Sequence, residues 1–165
     1  IKLCEAFRKQ YKSDFISALP CNLYGPGDNY DPKSSHVLPA LIRKCVEAKL
    51  GNFEKVIIWG TGKVKREFMH VDDCAEAILF LLENYSDSSP INIGTGDEIK
   101  ISELANLIKK LVNFKGKFEF DPSKPDGTPR KLLNNNKILE LGWKPKISLN
   151  EGILSTINSL STDFK

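Results

Sequence analysis

Apolar positions recur at helical spacing through Ile1, Leu3, Cys4, Phe7 and Tyr11, which predicts a helix over residues 1–11. It opens without an N-capping residue or a methionine, as expected of a helix continued from an earlier segment. Residues 14–20 are a short, largely apolar strand candidate that stops at Pro20. A turn-rich loop is expected over 21–35, centred on Gly25-Pro26-Gly27-Asp28-Asn29. The stripe Val37, Leu38, Leu41, Ile42, Cys45 and Val46 then predicts an amphipathic helix over 36–50. Val56-Ile57-Ile58-Trp59 reads as a compact buried strand ending in the turn Gly60-Thr61-Gly62. Residues 66–71 are extended, and Asp72 is the expected cap of a helix running to residue 84. A strand at 91–94 leads into Thr95-Gly96, and Ser102 is the expected cap of a helix with Leu104, Leu107, Ile108 and Leu111 on one face. Beyond it come a strand at 118–120, a loop at 121–128, a short helix at 134–141 and, after Pro145, a last helix at 149–160. Strands alternating with helices argue for an α/β fold.

With 165 residues, 41% hydrophobic and 27% charged, the chain has the size and balance of one globular domain with a real core. No apolar run approaches the ~20 residues that a membrane helix requires. A net charge of +3 suits a small anionic ligand and is too weak a signal for nucleic acid. Cys4, Cys21, Cys45 and Cys74 form no CxxC pair and read as reduced thiols of a cytosolic protein.

No GxGxxG lies between a strand and a helix, so the usual pyrophosphate cradle is not expected within these residues. Gly60-Thr61-Gly62-Lys63 lacks the glycine spacing of a P-loop and reads as a turn. His36 opens a helix after a polar loop; it is either a helix-start residue or a general acid reached from solvent. His70 precedes Asp72 and Asp73, but two acids at a helix start more often complement the dipole, and no metal is expected. Lys44, Arg66, Arg130 and Lys131 stand near loop ends, as solvated charges or as cations converging on a diphosphate. Trp59 either packs in the core or flanks a nucleotide from its strand end. The loop 123–131 is stiffened by two prolines while presenting Asp126, Arg130 and Lys131, which lowers the ordering cost of binding.

Read together, these segments resemble the GDP-L-fucose synthases (GDP-4-keto-6-deoxy-D-mannose 3,5-epimerase/4-reductases), extended short-chain dehydrogenases/reductases. The likeness is carried by Asn22-Leu-Tyr-Gly-Pro-Gly-Asp-Asn29, Ser35-His-Val-Leu-Pro-Ala-Leu-Ile-Arg-Lys44, Trp59-Gly-Thr-Gly62 and Arg66-Glu-Phe-Met-His-Val-Asp-Asp73. It continues through Ile91-Asn-Ile-Gly-Thr-Gly96, Ser123-Lys-Pro-Asp-Gly-Thr-Pro-Arg-Lys131 and Leu141-Gly-Trp-Lys-Pro145. The Arg66–Asp73 stretch is shared by many sugar-nucleotide enzymes; Ser35–Lys44 and Ser123–Lys131 are far more specific.

The resemblance implies a C-terminal portion of such an enzyme. Residues 1–24 and 67–96 would complete an NAD(P)-binding Rossmann sheet, and 25–66 with 97–165 would form a smaller α/β substrate domain. It implies NADP as cofactor, lying against Pro20, Cys21, Asn22, Leu23 and His36, and His36 as the acid that returns a proton during epimerisation. Lys44, Trp59, Arg66 and Asp126 would hold GDP-4-keto-6-deoxy-D-mannose or the product GDP-L-fucose. Cys21 departs from the family, which places threonine there. The family's glycine-rich loop, catalytic cysteine and Tyr-Lys pair fall before Ile1, so the isolated chain is expected to be inactive. A homodimer and a cytoplasmic location are implied for the whole enzyme, with no nucleic-acid or membrane partner. The alternatives are another NDP-sugar epimerase or dehydratase of the same fold, or a non-catalytic sugar-nucleotide-binding module.

Overall fold

The computed structural model describes residues 1–160, so the end of the expected substrate domain, 161–165, lies outside the described residues. Six helices and nine short strands alternate along it. They run α1 (Lys2–Tyr11), β1 (Ala18–Pro20), β2 (Asn22–Tyr24), α2 (Val37–Leu50), β3 (Lys55–Trp59), β4 (Lys65–Arg66), β5 (Phe68–His70) and α3 (Val71–Asn84). There follow β6 (Ile91–Ile93), β7 (Ile99–Lys100), α4 (Ile101–Val112), β8 (Lys117–Asp121), β9 (Arg130–Lys131), α5 (Asn136–Glu140) and α6 (Leu149–Asn158). The strand pairs β1–β6, β2–β5 and β3–β8 are all parallel. β4 sits between β7, antiparallel to it, and β9, parallel to it. The α/β class read from the alternation is the one observed.

Two apolar clusters organise these elements. One joins the buried faces of α2, α4 and α6 to Val56 and Ile58 of β3. The other joins α3 and β6 to Ile138 and Trp143, with Ala18, Cys21 and Leu23 packed against it. α4 owes its place to a full stripe, Leu104, Ala105 and Ile108 being inaccessible, and it stops where Asn113 turns left-handed at φ 61°.

Several expected details differ. The loop expected over 21–35 contains β2, because Asn22–Tyr24 finds a partner in Phe68–His70, 46 residues further on, that no local pattern announces. β7 and β9 have two residues each and exist only through their pairing with β4. α3 is capped by His70, not Asp72: the imidazole Nδ1 accepts the Asp72 N–H at 3.3 Å, and Asp72 and Asp73 occupy the first turn. α4 starts at Ile101 with Lys100 at the cap position, where the Glu103 carboxylate accepts the Lys100 N–H at 3.1 Å; Ser102 lies inside the helix. β3 is buried on one face only, and Trp59 is 64% exposed rather than a core residue.

Candidate functional site

The pleat of β3 explains the site. Alternation sends Val56 and Ile58 inward, which leaves Ile57 and Trp59 outward at the carboxyl end of a parallel pair. Pairing of Trp59 with Asp121 brings the loop after β8 alongside the indole. Between them lies a cleft of about 210 Å³, lined by Val37, Trp59, Gly62, Arg66, Pro125 and Asp126 among others.

The turn and the loop are latched together. Asp126 accepts the Thr61 N–H on one carboxylate oxygen and the Thr61 hydroxyl on the other, each at 2.7 Å. Those two bonds, the hydroxyl's first, hold the Asp126 carboxyl below its ordinary value. Gly60 makes the latch possible: its φ is +81°, and a Cβ there would lie 2.2 Å from the Asp126 carboxylate. Asp126 therefore shapes the cleft wall through Thr61, with both its oxygens already engaged.

Arg66 is aimed by the same loop. Its Nη1 donates to the carbonyls of Lys65 at 2.7 Å and Thr128 at 2.6 Å. Neutral carbonyls orient the guanidinium while no carboxylate among the described residues pairs with it, so its charge is left for an incoming anion. Lys44 donates from Nζ to the Ile57 carbonyl at 2.9 Å and stands 5.5 Å from the Trp59 ring centroid. Burial lowers its pKa. Lys124 approaches the same ring to 5.6 Å. An exposed indole, a guanidinium and two ammonium groups around one cleft suit a ligand combining a flat ring with phosphates.

Arg130 is spent elsewhere. Glu98 takes the Arg130 Nε at 2.6 Å on one oxygen and the Lys65 Nζ at 2.7 Å on the other, and Arg130 stays outside the cleft. Lys131, exposed on β9, also lies outside it. His36 is the N-cap residue of α2, exposed, and its side chain makes no cap hydrogen bond. The ring is uncommitted among the described residues, and the next residue, Val37, lines the cleft.

Pro20 to Leu23 occupy a different place, the carboxyl end of β1 and the start of β2. Cys21 N–H donates to the Ile93 carbonyl at 3.0 Å, and the Asn22 carboxamide donates to the Glu67 carbonyl at 2.7 Å. Burial first, and the Glu67 carboxylate second, push the Cys21 thiol up to about 12, so it stays protonated. What this segment offers is the exposed Pro20 ring at the carboxyl end of a parallel strand, where nucleotides bind in such sheets, and half-buried Leu23 within β2. Those surfaces are apolar and include no free side-chain donor for a diphosphate.

The grouping His70, Asp72 and Asp73 serves packing. The His70 Nδ1 takes the Asp72 N–H, so Nε2 carries the proton and donates to Ser155 Oγ at 3.3 Å. Asp73, buried, accepts the N–H groups of Lys146 at 3.1 Å and Ile147 at 3.0 Å. Sequence reasoning missed Thr61, Lys124 and Glu67. Glu67 carried a signal, a lone acid inside the extended run before Phe68 and Met69, and it is fully buried.

Residues 1–94 match the NAD dependent epimerase/dehydratase family. The chain is 56% identical over 156 residues to "Probable GDP-L-fucose synthase 1" of Oryza sativa subsp. japonica, covering 94% of this chain and 48% of that protein. Among solved structures it superposes on a GDP-L-fucose synthetase from Naegleria fowleri with a TM-score of 0.89 at 31% identity, covering 96% of this chain and 51% of that one. A GDP-6-OMe-4-keto-L-xylo-heptose reductase from C. jejuni matches with a TM-score of 0.87 at 37% identity, covering 95% and 56%. The chain spans about half the length of the curated relatives it matches.

Proposed function

The chain belongs to the NAD dependent epimerase/dehydratase family, and from that premise we propose that it is the sugar-nucleotide-holding part of a GDP-L-fucose synthase. The whole protein would convert GDP-4-keto-6-deoxy-D-mannose to GDP-L-fucose by 3,5-epimerisation and 4-reduction, as a cytoplasmic homodimer. One observation carries the reading: Trp59, Arg66 and Asp126 line one cleft, with Lys44 beside the indole. The 56% identity to the rice protein supports it.

In this reading Arg66 binds the diphosphate through its fork, because its Nη1 is already fixed by two carbonyls and Arg66 lines the cleft. Trp59 flanks a ring of the nucleotide, Lys44 and Lys124 neutralise phosphate charge, and the Asp126–Thr61 latch keeps the loop closed over both. A 4-keto group acidifies the protons on the neighbouring carbons, and His36, exposed at the mouth of α2 with an uncommitted ring, returns a proton there as general acid. NADPH, when bound, supplies the hydride for C4. Pro20 and Leu23 present an apolar seat to its nicotinamide, while Cys21 and Asn22 are held to their neighbours and keep that seat in shape. On this account 1–24 and 67–96 serve the cofactor, and 25–66 with 97–165 serve the sugar nucleotide.

The likeness to the C. jejuni GDP-heptose reductase favours a second reading, the same cleft serving a different GDP-4-keto sugar. Calorimetric titration with GDP, UDP and dTDP tests the base. GDP is expected to bind at least about tenfold tighter than either pyrimidine nucleotide, a difference of about 1.4 kcal/mol. Equal or preferred binding of UDP or dTDP contradicts both readings. GDP-L-fucose binding more weakly than GDP alone contradicts the first.

A further inference from the structure

Glu67 is fully buried, and no cation pairs with it among the described residues. A carboxylate so placed is costly unless hydrogen bonds replace its water. Here Oε1 accepts the Gly96 N–H at 2.8 Å, and Oε2 accepts the Leu133 N–H at 3.0 Å. The Thr95 hydroxyl reaches Oε1 at 3.5 Å, and the Glu67 carbonyl takes the Asn22 carboxamide at 2.7 Å. The fit is close: a Cβ on Gly94 would lie 2.4 Å from Oε1.

What these bonds hold is the segment that aims Arg66. β9 pairs with β4 so that Arg66 faces Lys131, and the Arg66 guanidinium grips the Thr128 carbonyl ahead of β9. Glu67 grips the Leu133 N–H behind it. The adjacent residues 66 and 67 thus pin 128–133 at both ends, one by a cation on a carbonyl and the other by a carboxylate on an amide. Through Gly96 the same carboxylate fixes the turn after β6, beside Cys21. Apolar core filling would need neither oxygen.

We propose that Glu67 is a positioning residue: its carboxylate locks the 128–133 segment against β4, so that the Arg66 guanidinium meets the ligand's diphosphate in one fixed orientation. This rests on the reading of the cleft as a GDP site. It separates two contributions, because guanosine engages the ring-binding part of the cleft and makes no demand on Arg66.

Calorimetry with GDP and with guanosine, on the wild-type chain and on Glu67→Gln, Arg66→Ala and the double variant, tests it. A Gln in place of Glu67 turns one acceptor into a donor facing an N–H, and GDP affinity is expected to fall about tenfold, the scale of one lost charge-assisted bond. Guanosine affinity should stay at the wild-type value, and Glu67→Gln should cost nothing further in the Arg66→Ala background. Equal losses for GDP and guanosine, undiminished GDP binding by a folded Glu67→Gln chain, or additive losses in the double variant would overturn the proposal. Should Glu67→Gln fail to fold, Gly94→Ala displaces the same carboxylate with its charge intact and carries the same expectations. A wild-type chain that ignores GDP altogether fails the site reading first, which keeps the two failures apart.

Discussion

Asp126 lines the cleft and at the same time latches the loop that carries it to the Thr61 turn. Both its oxygens are engaged by Thr61, and the Thr61 hydroxyl and amide depress its pKa below the ordinary 3.8. A depressed folded-state value means that the latch is fully present above the ordinary pKa and lost only as pH falls through the folded one. The Thr61 amide proton should therefore keep its chemical shift and exchange protection from pH 8 down to about 5, and lose protection only below about pH 4. A Thr61 amide that titrates between pH 5 and 7 would contradict the latch. Asp126 and Arg66 stood out as candidates from the motifs around them, but the Asp126–Thr61 latch was not legible. The one-sided burial of β3 was not legible for a definite reason: Val56-Ile57-Ile58-Trp59 is apolar throughout, so the period of two that exposes every second residue leaves no trace. Glu67 was overlooked because its partners, Gly96 and Leu133, are 29 and 66 residues away.

Elements were readable in proportion to their length. The helices announced themselves by their stripes, with ends shifted by a residue or two where the cap came from an unexpected group, as at His70. Strands β2, β7 and β9 left no local signal, since two or three residues become a strand only when another segment lines up with them. The packing of α6 shows what such alignments require. Gly152 lies against the Tyr24 hydroxyl, where a Cβ would come to 2.2 Å, and against the His70 ring at 3.0 Å. Gly152→Ala is expected to destabilise the chain by about 1–3 kcal/mol through overpacking, despite alanine's better helix propensity. Urea denaturation followed by circular dichroism measures this. A stability equal to or above wild type would mean that α6 does not seat on β2 and β5 as described.

At the scale of the whole molecule, two apolar clusters meet along β2 and β5, and the polar side chains that cross this region are Asn22, Glu67 and His70. The cleft beside Trp59 belongs to one cluster and the Pro20–Leu23 segment packs on the other, which fits a cofactor and a sugar nucleotide approaching from different elements. The central claim is that the cleft takes a guanine nucleotide against Trp59. The chain supplies its own control, because it has two tryptophans, Trp59 at 64% exposure and Trp143 at 4%. In a proton–nitrogen NMR titration with GDP, the Trp59 indole N–H resonance should shift in a saturable way while that of Trp143 stays in place, and UDP should need about tenfold or more higher concentration to move Trp59 as far. An unmoved Trp59 resonance, or the same shift with UDP as with GDP at the same concentrations, would contradict the account.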